Sequence, residues 1–285
     1  MSGSVLFDAP GPKARLRHLI FTIVGAAILI GILAYFVVKL EQTGQFEYVK
    51  WEPFVTPDYL QALADGTLDT VKMALSAVVA AVGFGVIFGI GKLSDHRWVR
   101  WPSWFIVEFW RAVPVLLMMI LIFYLWGITR GASGAYWSVV IALMVYNGAV
   151  LAEVFRAGVN AVPKGQAEAA YAIGMRKTQV MMMIQLPQAV KIMLPALISQ
   201  CVVALKDTSL GYAVAAPGLT KVGKQIYGDF DFEQNHIATV IVLAAIYISL
   251  NLILTAIATW VQKRFVGEKK IDVQRAATGM GGQVD

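Results

Sequence analysis

Charged side chains within or beside long apolar runs are the residues of this sequence best able to do chemistry. Asp69 and Lys72 are three residues apart, so on a helix they can form an ion pair. Lys206 and Asp207 follow an apolar run, with Thr208 beside them, and could face a cavity that binds a zwitterion. Ionisable groups are costly inside a membrane and often mark a pathway, but interfacial charges explain both pairs equally well. These five residues are candidates for a substrate pathway, with a structural role as the alternative.

A further charged pair lies near the end of another apolar run, where Arg156 follows Glu153 by one helical turn. We expect a structural ion pair there and keep Glu153 as an additional candidate for the pathway. The three histidines are far apart, and the single cysteine lies in an apolar run, so neither a catalytic nor a metal site is predicted. Gly91-Lys92 is the nearest approach to a phosphate-binding loop, but the rest of that motif is missing. We therefore expect a protein that is not an enzyme and holds no cofactor of its own.

The composition of the chain that positions these groups is typical of a membrane protein. Of its 285 residues, 58% are hydrophobic and 15% are charged, and the mean hydropathy is +0.65. A helix of about 20 mainly apolar residues crosses a bilayer. Six runs qualify, although the third and the fifth are short or interrupted by proline: Leu19–Leu40, Leu68–Gly91, Ala112–Trp126, Tyr136–Phe155, Leu194–Leu205 with its approach from Gln188, and Ile237–Val261. The predicted fold is an all-α polytopic membrane protein with about six transmembrane helices.

The basic residues predict how these helices are oriented. If both termini are cytoplasmic, 17 of the 24 lysine and arginine residues lie in cytoplasmic segments and six in external segments. This predicts a cytoplasmic N-terminal tail (1–18), a transmembrane domain (19–265) and a cytoplasmic C-terminal tail (266–285). The first apolar run is longer than that of a cleavable signal peptide, so we expect a retained anchor. The basic residues are scattered along loops, so binding of nucleic acid is not expected.

Residues 156–191 form one long segment between the fourth and fifth predicted helices, on the cytoplasmic side. Gln166–Ile173 consists of good helix formers, and Gly174 stands where a helix end needs a left-handed residue. Lys177–Leu186 is predicted to form a second short helix whose extension is limited by Pro187. The segment is thus predicted to be a compact cytoplasmic protrusion, for which an ordinary helical hairpin is the simpler interpretation.

The same protrusion carries a long motif of fixed spacing. Ala169 and Ala170 leave one side of its first helix without bulk, and Glu168 offers an acceptor at the helix start. The segment resembles the EAA loop of ABC importer permeases, in which Glu-Ala-Ala precedes three residues, Gly, nine residues, Ile, any residue and Leu-Pro. Every position of that pattern is matched here, by Glu168-Ala169-Ala170, Gly174, Ile184 and Leu186-Pro187.

The resemblance extends along most of the chain and points to permeases for polar amino acids. Arg111-Ala112-Val113-Pro114-Val115-Leu116 is similar to their Arg-Gly-Thr-Pro-Leu-Leu, with the glycine and the threonine replaced. Residues 1–60 match less specifically, and their length looks like the larger glutamate-type permeases of actinobacteria. Four further segments match the same subfamily: Gly66-Thr67-Leu68, Glu153-Val154-Phe155-Arg156, Lys164-Gly165-Gln166 and Leu205-Lys206-Asp207-Thr208-Ser209-Leu210.

The resemblance implies a permease subunit of an ATP-driven importer that moves a polar amino acid, glutamate or a close relative, across the cytoplasmic membrane. It implies three kinds of protein partner: a dimer of cytoplasmic ATP-binding subunits that hold ATP and magnesium, a second related or identical permease, and an extracytoplasmic solute-binding protein. The residues that match the family's coupling loop would act on the ATPase: Lys164, Gly165, Gln166, Glu168, Ala169, Ala170, Gly174 and Pro187.

The alternative function is a secondary amino-acid transporter that acts without an ATPase. Such a protein would need internal repeats with interrupted helices in matching places, and no clear repeat of residues 152–206 is present. A channel would need a filter-like loop, and a membrane enzyme would need a cluster of histidine, cysteine or carboxylate side chains at the interface. Neither pattern is evident, so the importer is the favoured interpretation.

Overall fold

The computed structural model describes residues 11–229 and 235–266, and every regular element in these ranges is helical. The all-α prediction is confirmed, while positions 1–10 and 267–285 of the two predicted tails lie outside the described residues. Short 3-10 or π-helical turns occupy Glu52–Phe54, Phe123–Gly127, Ile128–Arg130, Val180–Gln185 and Thr208–Val214. The α-helices are α1 (Pro12–Gln42), α2 (Tyr48–Trp51), α3 (Pro57–Lys92), α4 (Arg97–Ala112), α5 (Val115–Ile122), α6 (Gly131–Asn160), α7 (Lys164–Ala172), α8 (Lys177–Gln179), α9 (Leu186–Asp207), α10 (Leu219–Tyr227) and α11 (His236–Val266).

Five stretches of the described chain are long and apolar enough to cross a membrane. One of them, Val115–Asn160, has 46 residues and is broken at Gly131, whose φ of +57° ends the preceding helix. The backbones of Gly127 and Gly134 meet on either side of this break, and side chains of α5 and α6 share one core. The stretch is therefore a helical hairpin that provides two crossings. Counted this way, the five candidate spans are consistent with the six crossings that the sequence predicts.

The sequence analysis missed α4, an amphipathic helix between the second and third crossings. Pro114 precedes α5, so the third crossing begins at Val115 rather than at Ala112. On one side of α4, Ser103 lies against Gly91 of α3 and Val107 packs with α6 residues. The other side exposes a row of aromatic side chains, Trp98, Trp101, Trp104 and Phe105, as expected of a helix lying in a membrane interface.

The centre of the fold is the packing of α3 against α6, which requires small residues. A Cβ on Gly85 would lie 2.7 Å from the Cβ of Leu151, and one on Gly89 would lie 2.8 Å from Cδ1 of Phe155. These two glycines are four residues apart on one face of α3, so the two helix backbones can approach closely there. Larger side chains of α5 and α6 fill the neighbouring core, among them Met118, Met119, Val139 and Leu143.

The N-terminal helix α1 is separate from this core. The most apolar 18-residue window of its candidate span, Lys13–Gln42, has none of its residues buried. Its aliphatic and aromatic side chains are exposed on all sides, including Phe21, Ile30 and Phe36. A helix that is apolar all round and unpacked is suited to contact with lipid or another membrane helix.

Candidate functional site

The protrusion predicted between the fourth and fifth crossings is an exposed helical arm that starts with α7. Gly174 adopts a φ of +84°, the left-handed conformation that the sequence predicts for it. The Gly174 N–H donates to the Tyr171 carbonyl at 2.9 Å, and the Met175 N–H donates to the Ala170 carbonyl at 3.1 Å. These two bonds form a Schellman motif, which ends α7 and sends the chain into the next helix.

Most of the candidate coupling residues of α7 are accessible. Lys164, Gly165, Gln166, Glu168 and Ala169 are all exposed. Ala170 is different, because it is only 5% exposed and packs within the arm. The prediction that both alanines form an open docking face is therefore wrong for Ala170. Ala170 lies in the last turn of α7, and its carbonyl accepts the hydrogen bond from the Met175 N–H. It is buried because the Schellman motif folds the chain over this turn.

The second half of the arm differs from the prediction. Pro187 does not end a helix over Lys177–Leu186, because α8, the π-helical turn Val180–Gln185 and α9 run on as one continuous helical segment. A proline ring inside a helix conflicts with the carbonyl four residues earlier, here that of Met183. The wider π-helical turn lies at this point and relieves the conflict. Pro187 is exposed and lies directly after this turn.

An ion pair ties the arm to the loop between α3 and α4. The Lys177 ammonium at the start of α8 contacts the Asp95 carboxylate. The hydrogen bond and charge of Lys177 lower the pKa of Asp95 below its usual value of 3.8. Both side chains are largely exposed, at 49% and 73%, so the pair orients the arm without contributing much stability.

A larger charged network joins the ends of α3, α4 and α6. Arg156 donates to Glu153 at 2.9 Å, so the predicted structural pair is present. Glu153 also binds Lys92, whose side chain is only 4% exposed and lies 3.2 Å from Glu108. Sequence reasoning missed both of these residues, since Lys92 is 61 positions from Glu153. The only signal was a lysine at the end of an apolar run, which ordinarily indicates a side chain that extends to the interface.

The remaining pathway candidates lie away from this network, in the first half of α3 and at the end of α9. Lys72 and Asp69 form the predicted pair at 3.3 Å, with side chains 66% and 41% exposed. Lys206 is exposed and Asp207 is half-buried, while the buried Thr208 donates to the Leu205 carbonyl at 2.6 Å. No hydrogen bond or ion pair within the described ranges links the first pair to the second. The structure thus does not gather the candidates into one site within a single subunit.

Buried hydroxyl groups, which the sequence analysis did not identify, connect the helices beside these candidates. Thr70 accepts a hydrogen bond from the Leu219 N–H at 2.9 Å and donates to the Gly66 carbonyl at 2.8 Å. Thr70 and Thr208 both interact with the Tyr247 hydroxyl of α11. These contacts connect α3, α10 and α11 to Thr208, the residue that follows α9.

Two tyrosines mark the exposed surface beside α10. The hydroxyl groups of Tyr212 and Tyr227 lie 2.7 Å apart, and the Lys224 ammonium is 5.3 Å from the centre of the Tyr212 ring. The hydrogen bond between the two hydroxyl groups raises the pKa of Tyr227 from 10.0 to about 12.

The helical core and the exposed arm define the membrane-spanning subunit of a transporter. The structure superposes on an amino acid ABC transporter with a TM-score of 0.64 at 28% identity, covering 73% of this chain and 95% of the other. It also superposes on the MetNI methionine ABC transporter with a TM-score of 0.63, but at 18% identity this likeness shows the fold alone. Residues 81–267 match the family described as binding-protein-dependent transport system inner membrane component, and the chain belongs to that family.

Curated relatives agree with this assignment. The glutamate transport system permease protein GluD of Corynebacterium glutamicum is 39% identical over 79% of this chain and 83% of its own length. The glutamate/aspartate import permease protein GltK of Escherichia coli O6:H1 is 29% identical over 72% and 94%. The arginine transport system permease protein ArtQ of Bacillus subtilis is 28% identical over 71% and 91%. The chain is thus a multi-pass permease subunit, and its family favours an ATP-driven importer over a secondary transporter.

Proposed function

We propose that the importer to which this chain belongs moves glutamate or a closely related polar amino acid. The observation that carries the substrate is the 39% identity to a glutamate permease, well above the 28% identity to an arginine permease. The cations Lys72, in the first half of α3, and Lys206, near the end of α9, are exposed and can attract the carboxylates of such a substrate. With Asp69, Asp207 and Thr208 they form the proposed pathway, whereas the three-helix network gives Glu153 a structural role.

The proposed orientation places both termini and the helical arm in the cytoplasm, in a protein of the plasma membrane. The asymmetry of 17 against six basic residues supports this orientation. The exposed tryptophans of α4 mark a membrane interface at the end of α3, so the arm that follows α6 lies outside the apolar layer, and the basic residues assign this side to the cytoplasm.

The arm is proposed to receive the movement of a cytoplasmic ATP-binding subunit. One exposed side of α7 would dock on that subunit through Lys164, Gly165, Gln166, Glu168 and Ala169, and the Schellman turn at Gly174 would set its angle. Ala170 would act through packing inside the arm, and Pro187 through the junction with α9. The complex would include a dimer of ATP-binding subunits that hold ATP and magnesium, a second permease and an extracytoplasmic solute-binding protein.

Reconstitution of the complex in proteoliposomes tests this function. The expected result is ATP-dependent uptake of labelled glutamate, with ATP hydrolysis stimulated by the loaded solute-binding protein. Uptake that needs no ATP would contradict the importer. Stimulation by glutamine or arginine but not by glutamate would contradict the substrate and leave the importer standing.

A further inference from the structure

A polar cavity lies at the membrane interface, between the ends of α3 and α6 and the exposed side of α4. Its volume is about 470 Å³, and its lining includes both charged and indole side chains: Lys92, Arg100, Trp101, Trp104, Glu108, Glu153 and Arg156. The cavity has no role in the proposed transport pathway, because none of the candidates for that pathway other than Glu153 lines it.

The charges of the cavity favour an anion as its ligand. Its two carboxylates are already engaged, since Glu153 binds Lys92 and Arg156, and Glu108 binds Lys92 and Arg111. The three cations that line it exceed the two carboxylates, so the lining carries a net charge of about +1 at neutral pH.

Arg100 is the cation with donors to spare. Its guanidinium makes one long hydrogen bond, at 3.4 Å, to the Ser94 carbonyl, and the nearby Asp95 carboxylate is held by Lys177. A guanidinium has five N–H donors in a planar fork that suits the oxygens of a phosphate. Arg100 can therefore bind a phosphate without breaking an ion pair of the network.

The depth of the cavity relative to the membrane indicates the source of such a phosphate. Lys92 is the last residue of a membrane-crossing helix, and α4 exposes 91% of Trp98 and 65% of Trp101 on the side away from the core. Indole rings in such rows lie among phospholipid headgroups, and basic pockets at this depth bind anionic headgroups. Trp101 and Trp104 also supply indole N–H donors and apolar surface for the glycerol region of a lipid.

We propose that this cavity is a binding site for the phosphate headgroup of an anionic phospholipid. The phosphate binds Arg100 together with Arg156, and the glycerol region lies against Trp101 and Trp104. The bound lipid bridges α4 to the end of α6, the helix that continues into the arm. The leaflet that supplies the lipid is the cytoplasmic one under the proposed orientation, but the site itself depends on neither the orientation nor the transported substrate.

A binding measurement on the detergent-purified complex tests the site with one variant and a matched control. Arg100→Gln removes the guanidinium that is proposed to bind the phosphate. Arg97→Gln removes the same charge one turn away, at an exposed residue that does not line the cavity. Dioleoyl phosphatidylglycerol is titrated and binding is followed by native mass spectrometry. We expect wild type and Arg97→Gln to bind alike, and Arg100→Gln to bind roughly tenfold more weakly or worse, as loss of a charged hydrogen bond implies. Arg100→Lys, which keeps the charge but loses the fork, is expected to fall between them.

Three results would overturn the proposal. Equal losses in Arg97→Gln and Arg100→Gln would mean general attraction of lipid to a basic surface. Equal binding of phosphatidylcholine and phosphatidylglycerol would remove the preference for an anionic headgroup. Competition by inorganic phosphate at concentrations comparable to those of the lipid would assign the site to a free anion. Because lipid binding is measured without transport, these results do not depend on the proposed function.

Discussion

Replacing Gly174 by valine should uncouple the arm without disturbing the membrane helices. The φ of this residue is +84°, and a Cβ added there would meet no atom within 4 Å. The Cβ itself therefore meets no steric obstacle from the rest of the protein, and the backbone conformation is what opposes a side chain. An L-residue in the left-handed region costs about 1–2 kcal/mol, and a β-branched residue lies at the upper end of that range.

A cost of about 2 kcal/mol lowers the equilibrium population of the native turn roughly 30-fold relative to other conformations. The two hydrogen bonds of the Schellman motif depend on that turn, so α7 would leave its position relative to α9. Asparagine tolerates the left-handed conformation better than valine does. The expected order of substrate-stimulated ATP hydrolysis and uptake is therefore glycine, asparagine, alanine and then valine.

The assay uses complexes reconstituted in proteoliposomes, with limited proteolysis at residues 173–176 as a readout of the turn that is independent of transport. Gly83→Val is the matched control, because Gly83 also has open space around it but has no positive φ. Wild-type hydrolysis and uptake in Gly174→Val would refute the coupling role. Equal impairment of the asparagine and valine variants would show that backbone conformation is not the cause.

Three other perturbations have defined outcomes. Lys92→Met should lower the free energy of unfolding by about 1–3 kcal/mol, because Glu153 and Glu108 lose the buried ammonium that they bind. The loss is limited because Arg156 and Arg111 still pair with these carboxylates. Since Lys177 lowers the pKa of Asp95, their ion pair is complete above the usual aspartate pKa and is lost as the pH falls through the lowered value. Protection of the arm's amides against hydrogen exchange should therefore fall as the pH falls through this range. In Asp95→Asn the protection should not change over the same pH range. Tyr212→Phe should return the pKa of Tyr227 from about 12 toward 10.0, as measured by ultraviolet absorbance titration.

Each of these outcomes has a control or a contradiction. Lys191→Met removes an exposed lysine and should leave the free energy of unfolding nearly unchanged. An equal loss in this variant would show that the effect of Lys92→Met does not come from its buried ion pairs. Persistence of the acid response in Asp95→Asn would assign it to another carboxyl. An unchanged titration of Tyr227 in Tyr212→Phe would mean that burial, rather than the hydroxyl pair, raises its pKa.

Patterns among residues close in sequence were sufficient to predict the parts of this fold that depend on neighbouring residues. Apolar run length predicted the crossings, and the position of Gly174 predicted its left-handed conformation because a helix end requires it. The pairs Asp69–Lys72 and Glu153–Arg156 are three residues apart and follow from helix geometry.

The errors arose where distant parts of the chain decide the structure. Lys92 is buried because carboxylates of two other helices surround it, and nothing near it in sequence shows those partners. The helix α4 contains Pro102 and polar residues on its inner side, so it fits neither a crossing nor a loop by length alone. Ala170 is small, as a docking face requires, but smallness also suits a residue covered by its own turn.

The π-helical turn at Val180–Gln185 has a consequence for the length of the arm. Each residue of an α-helix advances the chain by about 100° around the axis, so a turn with one extra residue changes which side of the following helix faces the core. Loss of one residue there would convert the turn to α-helix and rotate α9 by about that angle relative to α7. The segment between Gly174 and Ile184 can therefore exchange many of its side chains more easily than it can change its number of residues.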